Sequence, residues 1–157
     1  MSTRVQNKAF EARDPNFEAR VRESFERQIV MQTIGASLES VKPGEVLIGL
    51  PFREDLTQQH GFLHAGIIAT IVDSACGYAA LSLTPANTGV LTIEYKVNLT
   101  APARGTHFTA TGRVIKPGRT ICFTEGEVWG SDGDRPKLVA TISASIMVMA
   151  DRSDIKG

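Results

Sequence analysis

The chain has 157 residues, with 17 basic and 17 acidic side chains. That length suits one domain with a real core, and the zero net charge gives no electrostatic reason to expect nucleic acid or an anionic membrane, so an anionic ligand would need a local patch. Two cysteines, Cys76 and Cys122, make no disulfide framework, and the start of the chain lacks an apolar signal core; the expected compartment is the cytoplasm.

Residues 16–34 read as an amphipathic helix, with Phe17, Val21, Phe25 and Ile29 at four-residue steps and charged residues over most of the other side. The charges of this region nearly cancel, Arg4, Lys8, Arg13, Arg20, Arg22 and Arg27 standing against Glu11, Asp14, Glu18, Glu23 and Glu26. A DNA-binding arm is therefore not expected. Two short strands are predicted over 36–41 and 45–52, joined by a Lys42-Pro43-Gly44 turn.

Residues 64–83 form an apolar run of membrane-span length. One Asp in its middle and its wealth of Gly, Ala, Ser and Thr argue instead for a core helix wrapped by a sheet. A strand follows over 88–100, where Leu91, Ile93, Tyr95, Val97 and Leu99 alternate with Thr92, Glu94, Lys96 and Asn98, predicting burial of one face. Strands are also expected over 106–116, 119–130 and 138–149, the first two flanking Pro117-Gly118. The expected organisation is an N-terminal extension and helix (1–34), one α+β domain (35–150) with a single sheet around a single helix, and a tail (151–157).

Asp73 is the one formal charge between Asp55 and Glu94. A carboxylate in so apolar a setting is costly unless paired or hydrogen-bonded, which makes it the first candidate for chemistry. At 100° per residue, Gly66, Ala69, Thr70, Cys76, Gly77 and Ala80 share its face, whereas Ile67, Ile68, Ile71 and Tyr78 lie opposite. Bulky residues would then face the sheet, and the small ones would admit a neighbouring backbone or a slender ligand.

The helix start, His60-Gly61-Phe62-Leu63-His64-Ala65-Gly66, offers unpaired amides to a polarised carbonyl. His64 and Asp73 are nine residues apart, roughly 13.5 Å along an ideal helix and half a turn out of phase. If both act on one bond, the second must come from another chain, which predicts a homodimer with shared active sites. His60 and His64 have metal spacing, but no further ligand follows at a suitable interval, so no metal site is expected. Cys76 reads as a small apolar filler, and no G-x-S-x-G elbow is present.

These residues resemble the hotdog-fold thioesterases of the phenylacetic-acid-degradation (PaaI-like) type, from about position 58 to 149. In that family a motif of Asn, Gly, His-Gly-Gly, Asp and Gly opens and fills the central helix. Here it reads Gln58-x2-Gly61-x2-His64-Ala65-Gly66-x6-Asp73-x3-Gly77, with Ala replacing the middle Gly and Gln replacing Asn. The strand through Thr92 to Pro102, then Gly105, and the hairpin Lys116-Pro-Gly-Arg-Thr120 are similar to the next landmarks.

The resemblance implies a hotdog fold, an antiparallel sheet of five or six strands around a long central helix with an extra N-terminal helix. It also implies hydrolysis of an acyl-CoA thioester in a homodimer, often paired into a tetramer. By position, Asp73 becomes the general base or nucleophile, and the Ala65 N–H polarises the carbonyl with His64 beside it. Gln58 orients water and Thr92 stands near the acid. Gly66, Arg104, Arg113, Lys116 and Arg119 are the candidates for holding CoA, which is part of the substrate; no separate cofactor is implied. The rival expectations are an acyl-CoA hydratase or dehydratase of the same fold and a non-catalytic acyl-CoA sensor.

Overall fold

The computed structural model describes residues 9–133 and 135–157. Arg4 and Lys8 of the N-terminal charge balance, and Asp134, lie outside the described residues. The chain begins with two short helices, α1 (Phe17–Arg27) and α2 (Ile29–Ile34), followed by the hairpin of β1 (Ser37–Lys42) and β2 (Glu45–Pro51). Its tight turn uses Gly44 at φ +78, a left-handed conformation that glycine adopts without strain. The central helix α3 (Ala65–Leu81) then crosses to the opposite edge of the sheet, where β3 (Thr88–Leu99) lies, and β4 (His107–Lys116), β5 (Ile121–Ser131) and β6 (Lys137–Ala150) fill the space between. The six strands run in the order β1-β2-β4-β5-β6-β3, and every neighbouring pair is antiparallel.

The sheet wraps α3, which touches β2, β3, β4, β5 and β6. This is the six-stranded form of the expected hotdog architecture. Ile68, Ile71, Val72, Ala75 and Ala79 of the helix are buried against Ile48, Leu50, Phe108, Val128 and Ile146 of the strands. Gly112 of β4 permits the closest approach, since a Cβ there would collide with the backbone at Ala75 and Cys76. No helix among the described residues is long and apolar enough to cross a membrane.

Three local readings are corrected. The single N-terminal helix is two, because Gln28 (φ −81, ψ 89) leaves helical geometry between them. Val21 and Phe25 keep their core places, but the break rotates the apolar stripe onto Met31 and Ile34, and Ile29 is left 67% exposed.

The second correction concerns the faces of α3. Gly66, Ala69, Thr70 and Gly77 do lie with Asp73 on its open side, but Cys76 and Ala80 are buried. Tyr78 packs not on the sheet but on Phe25 of α1, with ring centroids 5.9 Å apart.

The third is the apolar row of β3. Leu91, Ile93, Tyr95 and Leu99 are 48–56% exposed, because β3 is the sheet edge and nothing among the described residues covers them. The register against β6 also shifts between Thr92 and Glu94, leaving Ile93 as a bulge. Thr92 pairs with Ile146, while Tyr95 and Val97 pair with Ala144 and Ile142. All three partners are buried, so the bulge puts Thr92 on the inner side of the sheet with Tyr95 and Val97 rather than outside with Glu94.

Candidate active site

Asp73 sits midway along α3, half-buried, and its carboxylate accepts a hydrogen bond of 2.8 Å from the Thr92 hydroxyl. Burial raises its pKa above the ordinary carboxylate value; the Thr92 bond, which favours the charged form, works against that rise. The two residues line a pocket of about 290 Å³ together with Gln28, Tyr78 and Val90, among others. Gln28 hangs across this pocket from the break between α1 and α2. Its amide nitrogen donates to Ser74 Oγ (3.3 Å), and its oxygen accepts from the Tyr78 hydroxyl (3.5 Å).

The start of α3 forms a second group. His64 is the N-cap, with extended backbone (φ −62, ψ 139), and its Nδ1 accepts from the Gly66 N–H at 2.8 Å. That bond requires Nδ1 to be unprotonated and closes the first turn. The N–H groups of Ile67 and Ile68 both donate to the His64 carbonyl. Only the Ala65 N–H in this turn is left without a hydrogen-bond partner among the described residues. Ala65 lines a cleft of about 410 Å³ together with Gln58, Phe62, Leu99 and Pro102, among others. Gln58 is held by its own turn, in which its side-chain oxygen accepts from the His60 N–H and its backbone N–H donates to the Phe62 carbonyl.

The structure thus brings Asp73 to Thr92, and gathers Gln58, His64, Ala65 and Gly66 at the helix start. It does not join the two groups within one chain, and the two cavities share no lining residue. The cations do not cluster either. Arg104 stacks over the Phe62 ring, 4.6 Å from its centroid, beside the helix-start cleft. Arg113 is engaged by Glu45 at 2.8 Å. Lys116 and Arg119 are exposed around the β4–β5 turn, and Arg119 lines a small cavity with Ala80 and Leu83, at the other end of α3.

Cys76 is fully buried, and burial pushes its thiol up to about 12, where it is protonated and unreactive at neutral pH. Gln28, Ser24 and residues 155–157 also border the Asp73 pocket, and no sequence pattern marks them for it. A polar residue closing an otherwise amphipathic helix carries no signal until the break at that residue is seen.

The family model of the thioesterase superfamily matches residues 60–137, which include the helix start, Asp73 and Thr92. A thioesterase family protein from Silicibacter pomeroyi superposes with a TM-score of 0.84 at 44% identity, covering 85% of this chain and 98% of that one. Human acyl-coenzyme A thioesterase 13 is 33% identical over 89 residues, 56% of this chain and 63% of that protein. The PaaI protein of the Escherichia coli phenylacetic acid degradation operon, at 16% identity and a TM-score of 0.78, shares the fold over 86% of this chain and 94% of its own. With its central helix, wrapped sheet and helix-borne carboxylate, the chain belongs to the thioesterase superfamily.

Proposed function

We propose that this protein is an acyl-CoA thioesterase that hydrolyses small-to-medium acyl or aryl thioesters, releasing a carboxylic acid and free CoA thiol. The observation that carries the reading is Asp73, a half-buried carboxylate of raised pKa, oriented by Thr92 at the mouth of a cavity of acyl size. Asp73 either takes the proton of an attacking water, which yields the acid directly, or attacks the carbonyl carbon itself to leave an acyl-Asp73 anhydride that a water then hydrolyses to the acid; in both cases the C–S bond breaks and the thiolate leaves, taking up a proton as the free thiol. The free Ala65 N–H receives the developing oxyanion, with His64 holding the turn in shape and Gln58 directing its amide to water.

Because these two groups lie apart in one chain, the working unit is a homodimer. The exposed Tyr95 and Leu99, and the unpaired edge of β3, supply the surface for it. Two-fold pairing of β3 with its copy sets the two α3 helices antiparallel, carrying the helix start of one chain towards Asp73 of the other. Ile121, Phe123 and Trp129, exposed on the outer face of β5, provide a surface on which two dimers pair into a tetramer. For the CoA tail, Arg104 stands beside the helix-start cleft, Lys116 and Arg119 are exposed, and Arg113 is already engaged by Glu45.

The test is thiol release from short, medium, long and aryl acyl-CoAs by wild type and Asp73→Asn at matched folded concentration. Hydrolysis that falls by about 10² to 10⁴ in the variant supports the assignment. Equal rates in both remove Asp73 from the mechanism, and binding of acyl-CoA without turnover by wild type transfers the protein to the sensor class.

A further inference from the structure

The cavity that opens at Asp73 has a measurable length and a definite end. On α3 its wall follows Asp73, Gly77 and Leu81, one stripe of eight helical steps, which spans roughly 12 Å. On β3 the wall starts at Thr92, and four residues back lies Thr88, roughly 13 Å away along a strand. The two rulers agree on the far end, and the segment Ile155–Gly157 crosses it. The Gly157 N–H donates to the Thr88 carbonyl at 3.0 Å, and the Gly157 Cα lies against the Leu81 side chain. Ile155 is seated on Gly89, where a Cβ would come within 2.9 Å of the Ile155 carbonyl oxygen. A glycine at position 89 is what lets the segment lie so close to the strand.

We infer that Ile155–Gly157 is the end wall of the acyl pocket and sets the upper limit of acyl length. This rests on the assignment of the Asp73 cavity to the acyl group. A thioester whose carbonyl is at Asp73 has about 12 Å for its acyl part before meeting the segment, which admits a medium chain or a single ring and excludes a long chain. The wall is attached by the backbone hydrogen bond to Thr88, by a long bond (3.5 Å) that Arg27 of α1 donates to the Lys156 carbonyl, and by packing on Gly89, not by a strand of the sheet, so its removal changes the pocket without removing a sheet neighbour.

The experiment compares kcat/KM for hexanoyl-, decanoyl- and palmitoyl-CoA in wild type, in a variant lacking residues 155–157 and in Ile155→Ala. Dissociation constants for the same three thioesters are measured with each change placed on an Asp73→Asn background. The palmitoyl-to-hexanoyl ratio is expected to rise about tenfold or more in the deletion, the scale on which an apolar pocket discriminates one or two methylenes, and to rise by less in Ile155→Ala. A ratio unchanged in both variants, in turnover and in binding, overturns the end wall. Wild type that binds these thioesters but cleaves none overturns the thioesterase assignment instead, and the dissociation constants then still decide the wall. If the deletion unfolds, Ile155→Ala carries the same comparison.

Discussion

Asp73 and Thr92 form the residue pair on which the site turns, and their link makes two sign-definite predictions. The Thr92 hydroxyl stabilises the ionised carboxylate and so lowers a pKa that burial raises. Thr92→Val removes the lowering contribution and keeps the shape. The acid limb of the kcat/KM profile, where activity is lost as Asp73 takes up its proton, is expected to move to higher pH; an unmoved limb would separate Thr92 from the titration. The second prediction concerns stability. A carboxyl with a folded pKa above its unfolded value binds protons more tightly when folded, so its ionisation costs stability as pH rises from the ordinary value through the raised one. Asp73→Asn is free of that cost and can still accept from Thr92. At pH 7 it should melt no lower than wild type, as read by thermal denaturation, although activity is gone. Asp73 itself was legible in the sequence as the lone charge of an apolar stretch. Its contact with Thr92 was suggested only by resemblance, because strict alternation sends Thr92 outward, and the bulge at Ile93 that brings it back leaves no mark in composition.

At the scale of elements, α1 is strapped to the end of α3 by Arg20. Its guanidinium forms an ion pair with Asp14 at 3.0 Å and donates to the carbonyls of Leu81, Thr84 and Thr88, with the two charged side chains only 12% and 7% exposed. The strap fixes Gln28 and Ser24 over the Asp73 pocket. Arg20→Met leaves Asp14 buried without its partner and should cost about 3 kcal/mol in urea denaturation, the low end for breaking a buried pair. Adding Asp14→Asn should return part of that loss; a single-variant loss below about 1 kcal/mol would show the strap to be dispensable. The long apolar helix, the hairpins at Gly44 and Pro117-Gly118 and the strand succession were all visible as periodicity and turn chemistry. The break at Gln28 was not, since its cause is tertiary: the residue bonds to Ser74 and Tyr78 from a distant part of the chain.

At the scale of the whole molecule, the separation of the Ala65 amide from Asp73 becomes a test of assembly. Ala65→Pro deletes the candidate oxyanion donor with little damage to the helix, because proline is well tolerated at the first helical position and His64 already has the extended backbone that a following proline prefers. Alone it should lower kcat by about 10² to 10³, as loss of one such donor does. Asp73→Asn alone removes the carboxylate. If each site takes its amide from one chain and its carboxylate from the other, a mixed dimer of the two variants puts both defects in one site and leaves the second site intact. Co-expression with two different affinity tags, followed by tandem purification, isolates that mixed dimer. Its thiol release is expected to be about half that of the wild-type dimer, far above either parent. Activity no higher than the parents would mean that every chain completes its own site, and the exposed edge of β3 would then need another explanation.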